Sequence, residues 1–385
     1  MRKSLLLLAL CTSLASAAVS ATLTNRSQER ARKVIDSAVA AIGGRDALQS
    51  IETLKLQLQG ETWPRLQMPT PAPPFESGQF HEALTFDLKD NRLHLEQRVS
   101  GAGFDGHNTV IIKLGEGTVY DHRARTATPI PVEQTSQQQF VQYYRRLPHL
   151  ILRQALDGAN SLRYLGEAPF DGRKHNVVTF VMPDTQQVAL YVDAQSGLVS
   201  KYELVITDPL RGQQSSEIMF SDYVVAGKLK VPQTWTWRLA GDVVARYKVK
   251  AEFNPADADK SFEVSDAAFR KVPALPLTLK PSVEKLADGV YVIHNVAGQN
   301  QNTMAVEFKD YIVAVEAPGT SEGADAVIKR IKETIPGKPI RYIAVTHHHG
   351  DHIGGLRGFI AEGATVITTR SNRKVIETMA AAPQN

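Results

Sequence analysis

The sequence predicts an α+β protein built from two unlike parts. Three observations carry this reading. Between residues 53 and 251, short alternating apolar and polar stretches recur at hairpin spacing, separated by turn-forming pairs, as in a curved antiparallel sheet with helices packed on one side. From about residue 283 the pattern changes to strands interleaved with helix. The second part also holds His347-x-His349-x-Asp351-His352, four potential metal ligands in six positions.

Taken in order, the chain opens with Arg2 and Lys3 before an apolar run over residues 5–14, followed by Ala15-Ser16-Ala17 and Val19-Ser20-Ala21, two acceptable cleavage sites. Residues 1–21 therefore read as a secretory signal peptide, too short for a spanning helix. The mature chain is expected in the periplasm or outside the cell, with no stable membrane span. Cys11 is the single cysteine and lies inside the apolar run after Leu10, so neither lipid attachment, disulfides nor thiolate chemistry is expected.

A length of 385 residues with 43% hydrophobic and 22% charged residues suits two soluble domains. The formal charge of +4 falls to +2 once Arg2 and Lys3 leave with the signal peptide. That balance, and the lack of a basic stripe interleaved with aromatics, exclude a nucleic-acid surface.

Residues 22–270 are expected to form the β-rich domain. A helical stripe of Ala31, Val34, Ile35, Ala38 and Ala41 marks a helix over residues 28–41, stopped by Gly43-Gly44. Strands are predicted over residues 53–59, 94–99, 177–181, 188–192, 198–206, 216–223 and 243–251. Asp171-Gly172, Ser196-Gly197 and Ala226-Gly227 supply turns between them. One longer helix is predicted over residues 137–156. Residues 63–75 hold Pro64, Pro69, Pro71, Pro73 and Pro74 and read as a mobile flap or lid rather than a core element.

Trp235 and Trp237 sit two apart and read as sheet-face packing; lining a cavity together with Trp63 is the alternative. His81, His94, His107, His122, His149 and His175 have no ligand spacing and read as surface or satisfied core residues. Residues 271–281, with Pro273, Pro276 and Pro281, are expected to be a linker to a second domain over residues 282–385.

The motif in that second domain points to metal chemistry because neutral imidazole and carboxylate are donors that divalent ions such as zinc choose. His347 and His349 lie two apart and can point to one side, while Gly350 lets the backbone turn tightly toward Asp351 and His352. The four ligands thus divide into two pairs. A strand over residues 339–345 precedes them and a short helix over residues 353–361 follows, which puts the motif at the carboxyl end of a strand. His348, flanked by ligands, reads as a variable rim residue.

This arrangement resembles the metallo-β-lactamase fold family of metal-dependent hydrolases. Residues 289–294, residues 311–316 and a helix over residues 324–334 come in that family's order before the motif. The resemblance implies the first half of an αββα sandwich, with His347 and His349 as ligands of one metal and Asp351 and His352 of a neighbouring one. It implies zinc, up to two ions, with iron also compatible with these ligand types. Asp351 would orient the attacking hydroxide, and Glu316 is a candidate to fix an imidazole from behind; a capping or solvated acid is the alternative for Glu316. His294 and residues 295–302 resemble a rim loop that meets substrate.

The family completes its metal sites from a second half, and no His, Asp or Cys follows His352 in this sequence. The expectation is therefore weak, sub-stoichiometric zinc binding, little turnover, and an open apolar sheet face. A fragment of a longer protein or an interrupted gene is favoured over completion by a partner chain or an oligomer.

The order of helix, Gly43-Gly44 and strands, with the phrase at residues 193–199, resembles the half-barrel domains of periplasmic lipoprotein carriers. That implies a concave apolar surface for a lipid-like ligand. Two functions follow: a periplasmic or secreted hydrolase of an unidentified small ester, amide or lactone, or a non-catalytic lipid- or small-molecule-binding protein with a vestigial metal domain.

Overall fold

A computed structural model describes residues 22–64, 67–101, 105–113, 115–130, 143–208, 212–264, 266–274, 281–294 and 302–382. The expected signal peptide, the first part of the predicted 137–156 helix, residues 275–280 of the expected linker and residues 295–301 of the expected rim loop lie outside the described residues.

Helix α1 (Leu23–Ala41) begins where the Thr22 hydroxyl accepts a hydrogen bond from the Asn25 N–H. Its buried stripe is Ala31, Val34, Ile35, Ala38 and Val39, one face of a helical repeat. A short helix α2 (Arg45–Gln49) follows the two glycines. Six strands then run as successive antiparallel neighbours: β1 (Thr53–Thr62), β2 (Gly78–Asp87), β3 (Arg92–Ser100), β4 (Gly106–Lys113), β5 (Glu116–Asp121) and β6 (Thr126–Pro129).

After helix α3 (Pro148–Asp157) a second meander runs through β7 (Arg163–Phe170), β8 (Arg173–Val181), β9 (Gln187–Asp193), β10 (Val199–Asp208), β11 (Gly212–Ala226), β12 (Leu229–Leu239) and β13 (Asp242–Phe253). Strand β1 pairs with β13 from Leu54↔Phe253 to Thr62↔Ala245, which joins the two meanders into one sheet. The two-residue β14 (Arg270–Lys271) adds a parallel edge to β6, giving fourteen strands. Lys271, the expected first linker residue, therefore still belongs to this sheet.

The interior of this part is packed by α1, α3 and alternate strand residues, among them Ile35, Leu56, Phe86, Leu152, Phe180 and Trp235. Trp235 is 1% exposed and stacks on Tyr247 at 4.9 Å, so the sheet-face reading of Trp235 holds. Trp237 donates to the Ser216 hydroxyl at 2.9 Å. The turn at residues 193–199 is held by the buried Asp193 carboxylate, which accepts from the N–H groups of Gln195 and Ser196. Gly197, at φ +72°, lies so near α1 that an added methyl would stand 3.0 Å from the Ala41 Cβ.

Three expectations need correction here. The helix predicted over residues 137–156 is interrupted in its described part: Tyr143 and Tyr144 are helical, residues 145–147 are not, and helix resumes at Pro148. Leu147 is extended, at φ −144° and ψ 133°, because a residue before proline is driven out of the helical region. His149 is a poorly satisfied core residue: it is fully buried against Phe253, and the Lys230 backbone beside it only partly offsets the loss of water. Burial pushes its pKa down to about 3. Residues 63–75 are not wholly outside the core, since Met68 is 1% exposed.

The second part is a six-stranded mixed sheet in simple sequence order: β15 (Ser282–Ala287), β16 (Val290–His294), β17 (Thr303–Glu307), β18 (Ile312–Val315), β19 (Ile340–Ala344) and β20 (Thr365–Ile367). The first four strands pair antiparallel, and β18, β19 and β20 run parallel. Each parallel step is crossed by helix: α4 (Ser321–Thr334), then α5 (Gly350–Ile353) with α6 (Leu356–Ala361); α7 (Arg373–Ala381) follows β20.

One face of this sheet packs Ile293, Ala305, Ala314 and Ile343 against Val327, Ile331, Phe359 and Met379. Pairing puts Val292, Met304, Val306, Val313 and Val315 on the other face, where the valines are half-buried and Met304 is 37% exposed. The helix predicted over residues 353–361 is broken in two. Gly355 donates its N–H to the Pro318 carbonyl at 2.6 Å, which pulls the chain off the helical path.

Candidate functional site

The parallel strands β18 and β19 end side by side, and the chemistry of the motif gathers there. Glu316 follows β18 directly, at φ +66°, a left-handed conformation that a non-glycine residue adopts at a cost. Its backbone N–H reaches the Ala344 carbonyl at the end of β19. Its carboxylate accepts from the Thr346 N–H at 3.0 Å through Oε1 and contacts His352 Nδ1 at 2.8 Å through Oε2. The Glu316 carboxylate thus fixes both the strand exit and one imidazole, as the orienting reading of this residue requires.

His347, His349, Asp351 and His352 come together in the loop after β19 and in α5. Ring centroids are 4.5 Å apart for His347 and His349, and 4.1 Å apart for His347 and His352. Asp351 Oδ2 lies 3.5 Å from His352 Nε2, so the expected second pair is also adjacent. Burial, then the neighbouring His352 and His349, lower the pKa of His347 and favour its neutral form, which is the form that binds metal.

The motif glycines have a steric reason. A methyl on Gly354 would stand 2.0 Å from the Gly319 carbonyl oxygen, and one on Gly355 would stand 2.5 Å from the Thr320 carbonyl oxygen. The loop after Glu316 and the start of α6 pass backbone to backbone, and only glycine admits this.

The donor chemistry suits a divalent ion. In each imidazole one ring nitrogen has a protein partner: His347 Nδ1 with the Thr346 hydroxyl at 2.8 Å, His352 Nδ1 with Glu316, and His349 Nε2 with the Met68 carbonyl at 3.1 Å. That leaves Nε2, Nε2 and Nδ1 respectively as the nitrogens that would face an ion. Among the described residues, however, no group of three or more His, Cys, Asp or Glu side chains is arranged to hold an ion. The residues have the right donors, and their present placement does not close a site.

Two features lie beyond what the sequence reading placed here. His348 is 4% exposed and lies beside the Met68 backbone, so the rim assignment is corrected: the end of β19 turns this side chain inward, and burial lowers its pKa. Gln67 and Met68, from the proline-rich loop between β1 and β2, reach the motif, and the Gln67 carboxamide donates to Asp351 Oδ1 at 2.9 Å. The prolines flag a special loop but not its destination. His294, the proposed rim residue, lies between Glu284 and Asn302, at 2.9 Å and 3.0 Å.

Residues 318–382 match the family model of the metallo-beta-lactamase superfamily. Over 78 residues the chain is 30% identical to an alkyl/aryl-sulfatase of Saccharomyces cerevisiae and 33% identical to a linear primary-alkylsulfatase of a Pseudomonas species. These stretches cover 20% of this chain and 12% and 11% of the relatives, so the chain spans about an eighth of their length. A LolA superfamily protein of Nitrosomonas europaea matches 61% of this chain and 97% of its own, at 9% identity and a TM-score of 0.37. Among the described residues no helix is long and apolar enough to cross a membrane. Residues 318–382, which hold the motif, are thus the part of this chain that is similar to the metallo-beta-lactamase superfamily.

Proposed function

We propose that this protein is a periplasmic or secreted metal-dependent hydrolase in which His347 and His349 hold one ion while Asp351 and His352 hold a second, with zinc as the first choice and iron as the alternative. The observation that supports it best is the Glu316 carboxylate, which turns from a left-handed backbone to orient His352 at 2.8 Å. A half-buried carboxylate held in that conformation between the Thr346 N–H and His352 is what an imidazole with a metal-binding task calls for. A divalent ion held there supplies a water ionised near neutral pH and polarises the bond to be cleaved. Asp351 would align the nucleophile.

The substrate class is an ester, amide or lactone, and the two relatives named as sulfatases add sulfate esters to it. The signal-peptide pattern of residues 1–21 supports export. The non-catalytic lipid-binding reading has less support, because α1, α3 and Trp235 pack together in the buried core of the large sheet.

The test is metal content by elemental analysis after loading with zinc and with ferrous iron, for the chain of 385 residues and its His347→Ala and His352→Ala forms. Both substitutions should lower occupancy while far-UV circular dichroism stays unchanged. Occupancy untouched by either change would sink the proposal. Release of inorganic sulfate from a primary alkyl sulfate, set beside hydrolysis of a nitrophenyl ester and a chromogenic β-lactam, identifies the substrate class.

A further inference from the structure

The β1–β2 loop carries an interaction that neither the motif nor the superfamily match contains. Gln67 and Met68 are 284 and 281 residues away in sequence from the groups they touch, Asp351 and His349. We propose that this pair is a positioning element, supplied by the large sheet, for the metal-binding side chains. The inference rests on the metal-centre reading of the motif.

The argument is one of donor and acceptor roles. A backbone carbonyl only accepts, so the contact from Met68 requires a proton on His349 Nε2. His349 is thereby held as the tautomer whose Nδ1 carries the lone pair. Metal-binding histidines generally donate their other ring N–H to a carbonyl or carboxylate, and Glu316 does the same for His352. Gln67 plays the complementary part. Its carboxamide N–H binds Oδ1 of Asp351, on the opposite side of the carboxylate from the oxygen facing His352. One loop thus orients one member of each ligand pair.

The loop is itself held in place. Trp63 donates its N–H to the Val244 carbonyl at 2.8 Å, Gln67 donates to the Pro64 carbonyl at 2.7 Å, and the Met68 side chain is buried. A proline-rich segment loses little freedom on docking, which suits a part that must present two groups in register.

Cobalt(II) titration followed by visible absorption, on the full chain and on its Gln67→Ala and Gln67→Glu forms, tests the proposal. Glu has the size of Gln but offers no N–H at neutral pH, so a packing role would tolerate it and a donor role would not. Both variants should bind cobalt about 10- to 100-fold more weakly, with an altered ligand-field spectrum and an unchanged thermal midpoint of the metal-free chain. In the metal-free protein, imidazole nitrogen shifts assigned with His349→Ala should show the Nε2–H form at His349.

Unchanged affinity and spectrum in both variants, or an Nδ1–H form at His349, overturns the positioning role and leaves the metal centre standing. Tighter binding by Gln67→Ala also overturns it, and makes the loop a competitor of the metal. No cobalt bound by any form removes the metal-centre reading and this inference together.

Discussion

The large sheet and the small sheet solve different problems with the same material. In the large sheet, neighbours in sequence are neighbours in space, every pair but the one to β14 is antiparallel, and the one long-range closure between major strands joins β1 to β13. Such a sheet is built by its turns and has no common end at which loops converge. In the small sheet three strands run parallel, so β18 and β19 finish at the same edge, and Glu316 and His347 emerge there together. Reacting groups collect where crossovers bring the carboxyl ends of strands side by side. The large sheet contributes mass, a closed core and one loop that crosses to the other part.

The two parts also differ in what they bury. The small core is almost wholly apolar, whereas the large one encloses charge. The Glu82 side chain is fully buried, with Arg146 Nε at 3.2 Å and the Gln97 carboxamide donating to it at 2.7 Å. The largest expected effect on stability therefore comes from Glu82→Ala, which strands Arg146 beside a cavity. Urea unfolding should show a loss of about 3–5 kcal/mol. Substitution of both Glu82 and Arg146 by leucine should recover most of it, and failure to do so would break the contrast between a polar and an apolar core.

Phe359→Ala, in the small core, should cost about 3–5 kcal/mol by cavity formation. If the two sheets unfold as separate units, only one of two transitions should move. A single transition that shifts as a whole would instead show that contacts such as Gln67 to Asp351 couple the parts.

His149 makes the large sheet acid-sensitive. Its folded pKa, lowered by burial to about 3, lies below the unfolded value near ~6.5. The unfolded chain therefore binds the extra proton first. The stability this group confers by staying neutral is complete above pH ~6.5 and is lost at about 1.4 kcal/mol per pH unit as the pH falls toward 3. His149→Leu should flatten the pH dependence of the urea midpoint over that window; an unaltered slope would remove His149 as its source.

Two smaller effects sharpen the picture at the site. Glu316→Gln retains the shape but weakens the acceptor for His352, and metal affinity by competition titration should drop about 10-fold or more. Thr320→Ala removes the N-cap of α4, where the hydroxyl accepts from the Gly323 N–H at 3.0 Å, and should cost about 1 kcal/mol in thermal unfolding. Neither should disturb the large sheet.

Local pattern explains which elements were readable. The strands predicted near β1, β3, β8 to β11 and β13 are short runs bounded by turn residues; β1 and β9 alternate, while β8 and β10 read as apolar runs buried over four residues in succession. Strand β2 escaped because Glu82, Thr85 and Asp87 are buried on it, so its polar residues do not mark a solvent face. Strand β12 carries Pro232, which usually argues against a strand; here it stands opposite Tyr223 and interrupts little. The helix over residues 137–156 was read as continuous because its apolar repeat runs through Pro148, whose effect is on the residue before it.

The sequence by itself determined the donors and their order: three imidazoles, one carboxylate and the glycines between strand and helix, all within ten residues of chain and so visible as a pattern. His347 has its partner in the adjacent Thr346, and only the tertiary structure decided which acceptor meets the rings of His352 and His349. His352 is set by Glu316, 36 residues away, and His349 by Met68, 281 residues away. The physical reason is that a tautomer is chosen by whatever acceptor the folded chain brings to the ring, and contacts closed across so long a loop leave no periodicity in the sequence.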